Sequence, residues 1–151
     1  MSEMSNESLK LSAQGCFRLY TAARLMMQAY LPWLAPLGIT YTQYLVLMVL
    51  WEQDGQPLNA ISRRLYLDSN TLTPLIKRME AMKIVTRKKG REDGRQTIIA
   101  LTEHGRALEQ QAAAIPECMT AVLRERGLDV EQYAAVNPTL DHLIDVLSNK
   151  Q

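Results

Sequence analysis

The chain has 151 residues, of which 47% are hydrophobic and 22% are charged, with a formal net charge of +1, as in one ordinary globular domain. No apolar run reaches the ~18 residues of a membrane-spanning helix, and the first ten residues lack the basic and apolar regions of a signal peptide. The two cysteines lie far apart and suggest no disulfide framework, so we expect a single cytoplasmic domain, residues 1–151, with no membrane association.

The first predicted element is a long helix, Ser8–Tyr30, in which apolar residues recur at steps of three and four. Pro32 and Pro36 end this helix, because proline has no amide hydrogen to donate in a helix interior. Gly38 belongs to the turn that follows. A capping box at residues 40–43 then predicts the start of a second helix.

This second helix is predicted to run through Trp51 and to stop near Asp54 and Gly55. Its residues from Tyr44 to Trp51 are apolar on almost every face. A helix of that kind has no solvent-facing side, so we expect it to form the buried centre of the domain.

The next segments form a compact series. Leu58–Leu65 predicts a short helix, residues 66–68 a brief turn, and a helix follows from Ser69 or Asn70 to Lys83. The inner stripe of that helix is Leu72, Leu75, Ile76, Met79 and Met82. Residues 84–88 and 97–101 predict two strands, joined by a hairpin loop at residues 90–95. This order is that of a winged helix-turn-helix, and the fold class is mainly α with a small β-wing.

Two helical stretches complete the chain. Residues 102–126 predict a helix that Pro116 interrupts. Residues 129–147 predict the last helix, with a kink or restart at Asn137 and Pro138.

The second helix of a helix-turn-helix pair lies in the DNA major groove, with its amino-terminal residues near the bases. The residues predicted to contact DNA from this helix are Ser69, Asn70, Thr71, Thr73, Lys77 and Arg78. Small polar side chains at a helix start approach bases and phosphates closely, and the two cations one turn further suit the phosphate backbone. The alternative is a merely polar outer face of an amphipathic helix.

The charge around the wing supports the DNA interpretation. Residues 77–95 include eight basic and three acidic residues, a net charge of +5 that leaves −4 for the remainder. Such an imbalance is typical of a phosphate-binding surface, although a solvated charged hairpin would carry the same charges. The wing residues predicted to contact DNA are Lys88, Lys89, Arg91, Asp93 and Arg95. An ion pair between Asp93 and Arg95 is expected to fix the loop and aim an arginine at the minor groove.

Asp93-Gly94-Arg95 followed by Ile99-Ala100-Leu101-Thr102 resembles the wing signature of the MarR family of transcription regulators. Residues 14–20, 30–32, 38–45 and 65–75 resemble more specifically the branch of organic hydroperoxide resistance regulators. The resemblance covers almost the whole chain, with Thr42 standing where that branch carries proline. It implies a homodimer, with a DNA-binding lobe at about residues 40–101 and dimerisation helices at about 8–36 and 102–148.

The resemblance also implies that Cys16 senses the oxidant, supported by Tyr20 and by Tyr30 and Tyr41 of the partner subunit. From the residues alone, Cys16 and Tyr20 share a helix face, where a phenol and a helix start can stabilise a thiolate. A small core cysteine and packed aromatic rings are the alternative interpretation.

Members of the branch with a second cysteine use it to resolve the oxidised sensor, and Cys118 is the candidate here. A small thiol that caps Cys16, with Cys118 inert and buried, is the other possibility. The resemblance therefore predicts a repressor that binds operator DNA when reduced and is released when organic hydroperoxide oxidises Cys16. A repressor released by a phenolic ligand is the alternative, and a peroxide-consuming enzyme is disfavoured by the basic wing.

No cofactor and no metal are expected, because the two histidines lie far from each other and from both cysteines. No phosphate-binding glycine loop and no catalytic Ser/His/Asp arrangement occur either. We therefore predict a regulator and not an enzyme.

Overall fold

The protein is described by a computed structural model over residues 6–148, in two compact units that meet in the sequence after Tyr41. The parts of the predicted single domain at residues 1–5 and 149–151 lie outside the described residues. In the first unit, α1 spans Gly15–Ala29 and α2 spans Leu31–Leu34. Single turns of 3₁₀ helix occur at Leu11–Ala13 and Ala35–Leu37.

Helix α1 begins at Gly15, so the predicted start at Ser8 is wrong. Gln14 is extended, with φ −88° and ψ 109°, which breaks the helical path. The Gln14 side-chain amide donates to the carbonyl oxygens of Ser8, at 2.6 Å, and Lys10, at 3.2 Å. Arg18 donates to the carbonyl of Ser12 at 3.0 Å. Side chains thus occupy carbonyls that a continuous helix would have paired with backbone amides.

The predicted end of the first helix is confirmed, because α1 stops at Ala29. Pro32 lies in the first turn of α2 and Pro36 in the first turn of the second 3₁₀ segment. Proline is tolerated at these positions, since an amide in the first turn has no intrahelical partner. Gly38 then adopts a left-handed conformation, φ 71°, which glycine takes without a steric penalty.

The second unit contains the remaining helices and a small sheet. In chain order these are α3 (Tyr41–Glu52, whose first residue belongs to the first unit), β1 (Gln56–Pro57), α4 (Leu58–Leu65), α5 (Ser69–Ala81), β2 (Val85–Lys89), β3 (Thr97–Leu101), α6 (Glu103–Ala112), α7 (Ile115–Glu125), α8 (Val130–Ala134) and α9 (Asn137–Ser148). The helix, turn, helix, strand, loop and strand of α4 to β3 form the predicted winged helix-turn-helix. Both predicted interruptions also occur, with Pro116 in the first turn of α7 and Pro138 in the first turn of α9.

Helix α3 is buried, as its apolar sequence predicts, and Val46 and Leu47 are fully inaccessible. The core of this unit also includes one face of α5 and the inward side of the strands. The buried residues there are Leu72, Leu75, Ile76, Met79, Val85, Ile99 and Leu101. Met82, which was predicted to belong to this inner stripe, is instead 37% exposed, so that part of the prediction is wrong. It lies beyond the last turn of α5, where Lys83 takes a left-handed φ of 59° and turns the chain towards β2.

Within residues 6–148, the sheet has three antiparallel strands in the order β1-β3-β2, one more than predicted. Val85 pairs with Leu101 and Lys89 with Thr97, while Gln56 pairs with Ile99 on the other side of β3. Strand β1 has only two residues, one of them proline, and therefore gives no alternating pattern. It lies at the sheet edge, where a missing amide hydrogen is tolerated.

Asp54 joins the end of α3 to the end of the sheet and the start of α6. Its Oδ1 accepts hydrogen bonds from the amides of Gly55 and Leu101, both at 2.8 Å, and its Oδ2 lies 3.3 Å from Nη1 of Arg106. Trp51 Nε1 donates to the Gly105 carbonyl at 3.0 Å. These bonds attach the wing to the helix that follows it.

Candidate nucleic-acid interface and redox site

The predicted DNA-contacting face of α5 is accessible to solvent. Ser69, Asn70, Thr71, Lys77 and Arg78 are exposed and Thr73 is half-buried. The helix continues through Pro74, although proline cannot donate a backbone hydrogen bond there. The opposite face carries the buried leucine, isoleucine and methionine residues of the core. Helix α5 therefore directs its small polar and cationic residues outwards.

The hairpin loop is fixed by an arrangement that differs from the predicted one. Among the described residues, no ion pair joins Asp93 to Arg95. The Asp93 carboxylate instead accepts a hydrogen bond from the backbone amide of Arg95 at 2.9 Å. Aspartate commonly forms this turn with the second residue after it, and the bond leaves the Arg95 guanidinium available. Gly90 and Gln96 close the loop through a backbone hydrogen bond of 2.9 Å.

The start of α5 and the base of the wing meet at a surface hollow of about 310 Å³. Ser69 lines it from α5, and Asp93 and Arg95 line it from the loop. The structure thus brings together two predicted parts of the DNA surface. Asn59 and Thr97 also line the hollow, and sequence reasoning missed both. No motif marks them, because their position depends on the pairing of β1 with β3.

The basic residues of α5 and the wing differ in whether they form ion pairs. Arg87 is half-buried, and its Nη2 lies 3.1 Å from Oε1 of Glu80 on α5. This pair joins α5 to β2. Six other cations were predicted to bind phosphates, and within residues 6–148 none of them forms an ion pair. These are Lys77, Arg78, Lys88, Lys89, Arg91 and Arg95. These six charges are available to an anionic partner.

Cys16 is the second residue of α1 and is exposed. Gln14, the residue before the helix, makes no side-chain hydrogen bond to the first amides of α1. Tyr20 lies one turn further and is 66% exposed. Within residues 6–148, no hydrogen bond joins the Tyr20 phenol to the Cys16 sulfur. The thiol is accessible to a small oxidant.

Tyr30 and Tyr41 lie side by side in the first unit. Their ring centroids are 5.1 Å apart with an interplanar angle of 50°, and Trp33 packs edge-on against Tyr30 at 6.4 Å. The structure therefore places side by side the two tyrosines that, according to the resemblance, support Cys16 of the partner subunit. Both are partly accessible and form one aromatic group.

Cys118 is half-buried on α7, next to the buried Met119. This burial is intermediate between an inert core thiol and a freely accessible one. Among the described residues, no group of three or more His, Cys, Asp or Glu side chains could hold a metal ion. No single helix there is both long enough and apolar enough to cross a membrane.

The sequence matches known regulators over most of its length. The family model for the transcriptional regulator SarA/Rot matches residues 29–111. The organic hydroperoxide resistance transcriptional regulator of Bacillus subtilis is 42% identical over 134 residues, which are 89% of this chain and 91% of that protein.

Solved structures with the same fold include those of AbfR from Staphylococcus epidermidis. Reduced AbfR bound to DNA is 43% identical with a TM-score of 0.70, over 94% of this chain and 99% of that one. Disulfide-formed AbfR is 42% identical with a TM-score of 0.61, over 95% and 99% of the two chains.

The helix-turn-helix, the basic wing and the exposed recognition face define a winged-helix transcription regulator and not an enzyme. The matches extend beyond the winged helix-turn-helix into the flanking helices. The chain belongs to the MarR family of transcription regulators, in the branch of organic hydroperoxide resistance regulators. The resemblance inferred from the sequence motifs is thereby confirmed.

Proposed function

We propose that this protein is a cytoplasmic, homodimeric repressor that binds operator DNA when Cys16 is reduced and leaves it when organic hydroperoxide oxidises Cys16. The observation that carries the proposal is the exposed thiol of Cys16 at the start of α1. It occurs in a chain that is 42% identical to a regulator of organic hydroperoxide resistance.

DNA binding is assigned to the outer face of α5 and the wing. Helix α5 enters the major groove, where Ser69, Asn70, Thr71 and Thr73 meet bases and nearby phosphates. The flanking phosphates are held by the unpaired cations described above other than Arg95. Asp93 acts indirectly, because its bond to the Arg95 amide shapes the loop and leaves that guanidinium free for the minor groove.

The sensing reaction is a two-electron oxidation of the thiolate. The Cys16 sulfur attacks the peroxide oxygen, the O–O bond breaks, and the alkoxide leaves and takes up a proton to become an alcohol. Cys16 is left as a sulfenic acid. Cys16 is the second residue of α1, so the reacting sulfur lies at the start of the helix. Tyr20, Tyr30 and Tyr41 supply phenol donors, the last two from the partner subunit.

A thiol must then react with the sulfenic acid to complete the switch. We assign this role to Cys118 of the partner subunit, whose sulfur bonds to the Cys16 sulfur while water leaves. The half-buried position of Cys118 on α7 is compatible with this assignment. A small thiol that caps Cys16 is the alternative product.

Dimerisation is supported by the apolar residues left uncovered at both ends of the chain. Helices α1 and α9 have no buried residue, although each carries apolar residues at helical spacing. The uncovered residues include Leu19, Tyr20, Leu25 and Met27 on α1, and Leu143, Ile144, Val146 and Leu147 on α9. A second copy of the chain covers these surfaces, since a monomer would leave them in water.

The decisive experiment compares wild type with Cys16→Ser on a duplex that wild type selects from a random-sequence pool. Under reducing conditions, we expect both proteins to bind this duplex with equal affinity, because the cysteine and serine side chains are nearly isosteric. Cumene hydroperoxide should release wild type only, since serine forms no sulfenic acid. Fluorescence anisotropy reports release, and intact mass reports oxidation. Release of Cys16→Ser by peroxide would contradict the proposal and favour a repressor gated by a bound ligand.

A further inference from the structure

The exposed side of α4 continues the proposed DNA surface away from the wing. Asn59 lines the hollow shared with Ser69 and Arg95, and Arg63 lies four residues further, on the same side of the helix. Arg63 and Tyr66, together with Arg64, line a surface hollow of about 440 Å³. Polar residues therefore line the surface from the start of α5 along α4 to the turn between the two helices.

Tyr66 has an unusual conformation for its residue type. It ends α4 with φ 54° and ψ 35°, in the left-handed region. Its amide donates to the Arg63 carbonyl at 3.4 Å, and the Leu67 amide donates to the Ser62 carbonyl at 3.1 Å. Glycine is the usual residue at this position of such a helix end, because a side chain there is strained.

Burial does not compensate for this strain, because Tyr66 is 62% exposed. Within residues 6–148, its phenol forms no hydrogen bond. Residues held in strained backbone conformations cluster at active sites and ligand-binding sites. The conformation places an aromatic ring and a hydroxyl on the surface at the turn of the helix-turn-helix.

Arg63 and its neighbour Arg64 differ in charge pairing. The guanidinium of Arg64 lies 2.8 Å from a carboxylate oxygen of Glu52. Arg63 is exposed and makes no ion pair in the described part of the chain. An unpaired guanidinium beside a phenol is a donor set that suits a phosphate.

We propose that Arg63 and Tyr66 bind one phosphate of the DNA backbone, outside the groove that α5 enters. The inference rests on the proposed DNA-binding function. The first helix of a helix-turn-helix crosses the DNA backbone, which gives this side of α4 a phosphate neighbour. In a dimer the contact occurs twice, once on each half-site.

Arg63→Gln tests the charge, and Arg64→Gln is the matched control on the same helix. On the wild-type-selected duplex, we expect Arg63→Gln to weaken binding about tenfold for each half-site, or about a hundredfold for the dimer, as expected for two lost charged hydrogen bonds. The log–log salt slope should become shallower by about two, one for each half-site. Arg64→Gln should change affinity less than about threefold, because Glu52 already neutralises that charge.

Phosphate ethylation interference locates the contact. In wild type, ethylation of one flanking phosphate per half-site should block binding, and this block should vanish in Arg63→Gln. An unchanged interference pattern together with unchanged affinity would overturn the inference. Absence of salt-dependent duplex binding by wild type would instead reject the proposed function itself.

Tyr66→Gly separates binding from stability. Glycine relieves the left-handed strain, so the thermal midpoint should not fall, while DNA affinity should fall with the loss of the phenol. Tyr66→Phe keeps the ring and the strain and removes only the hydroxyl, so its affinity should also fall. A Tyr66→Gly or Tyr66→Phe protein that binds the duplex as tightly as wild type would exclude Tyr66 from the phosphate site.

Discussion

Gly105, in the first turn of α6, packs directly against the chain that leaves the recognition helix. A Cβ atom at this position would collide with the carbonyl oxygen of Ile84 and would lie 3.1 Å from a Leu101 side-chain carbon. Thr102 caps the helix by accepting a hydrogen bond from the Gly105 amide at 3.0 Å and donates to the Ile84 carbonyl at 3.0 Å. The absence of a side chain at Gly105 permits this close approach.

We predict that Gly105→Ala destabilises the protein. Alanine in a helix ordinarily gains about 0.5–1 kcal/mol over glycine, but here the new methyl group must displace a backbone carbonyl. Overpacking of this kind costs about 1–3 kcal/mol, so we expect a net decrease in the free energy of unfolding. Urea unfolding measures this decrease.

Gly94→Ala is the control, because a Cβ on Gly94 has no atom within 4 Å. Equal stability of the Gly105→Ala and Gly94→Ala proteins would show that the contact between Gly105 and Ile84 tolerates a side chain.

At the scale of elements, the wing and α5 act as one cationic surface. The Glu80–Arg87 pair connects them at 3.1 Å, and the Asp93 bond to the Arg95 amide shapes the loop. Electrostatic repulsion among the remaining cations opposes this arrangement in the free protein. A duplex removes the repulsion by neutralising them, with release of counterions from the DNA.

We predict a steep salt dependence of DNA binding. A dimer that neutralises about eight phosphates should show a log–log slope near −7. Anisotropy titrations over a series of salt concentrations measure the slope, and a value flatter than about −2 would rule out this surface as the DNA contact. Arg95→Ala should weaken binding more than Lys150→Ala, whose site lies outside the described residues.

At the scale of the whole molecule, the proposed switch requires two subunits. A disulfide needs Cα atoms within about 7 Å of each other. If the reduced dimer holds Cys16 and the partner's Cys118 further apart, closing the bond moves the helices that carry them. Helix α7 follows α6 in the chain, and Asp54 and Trp51 attach α6 to the lobe that carries the wing. A displaced α7 would therefore pull on α6 and shift the DNA-binding surface.

We predict a covalent dimer after peroxide treatment of the wild-type protein. Non-reducing electrophoresis should show the band, and Cys16→Ser and Cys118→Ser should each eliminate it, since each removes one partner of the disulfide. Cys118→Ser should still be oxidised at Cys16. A dimer band that persists in Cys118→Ser, or an oxidised wild type that stays monomeric on the gel, would leave capping by a small thiol as the route.

The elements with strong local signals were predictable from sequence. Helix α4 has the predicted bounds, Leu58–Leu65, because a proline precedes it and its apolar residues follow one face. The buried state of α3 followed from its lack of a polar side. Helix α1 was predicted too long, because its periodicity extends past Gln14, whose side chain pairs with Ser8 and Lys10 instead.

The sequence by itself determined the family, the order of the winged helix-turn-helix and the residues of its outer face, because hydrophobic periodicity and motif order are local. Tertiary structure alone decided how these parts meet. The pairing of β1 with β3 brings Asn59 to the hollow, and the Asp93 carboxylate bonds to a backbone amide instead of to the Arg95 side chain. Such choices depend on which backbone groups lie within hydrogen-bonding distance, and folding decides that distance.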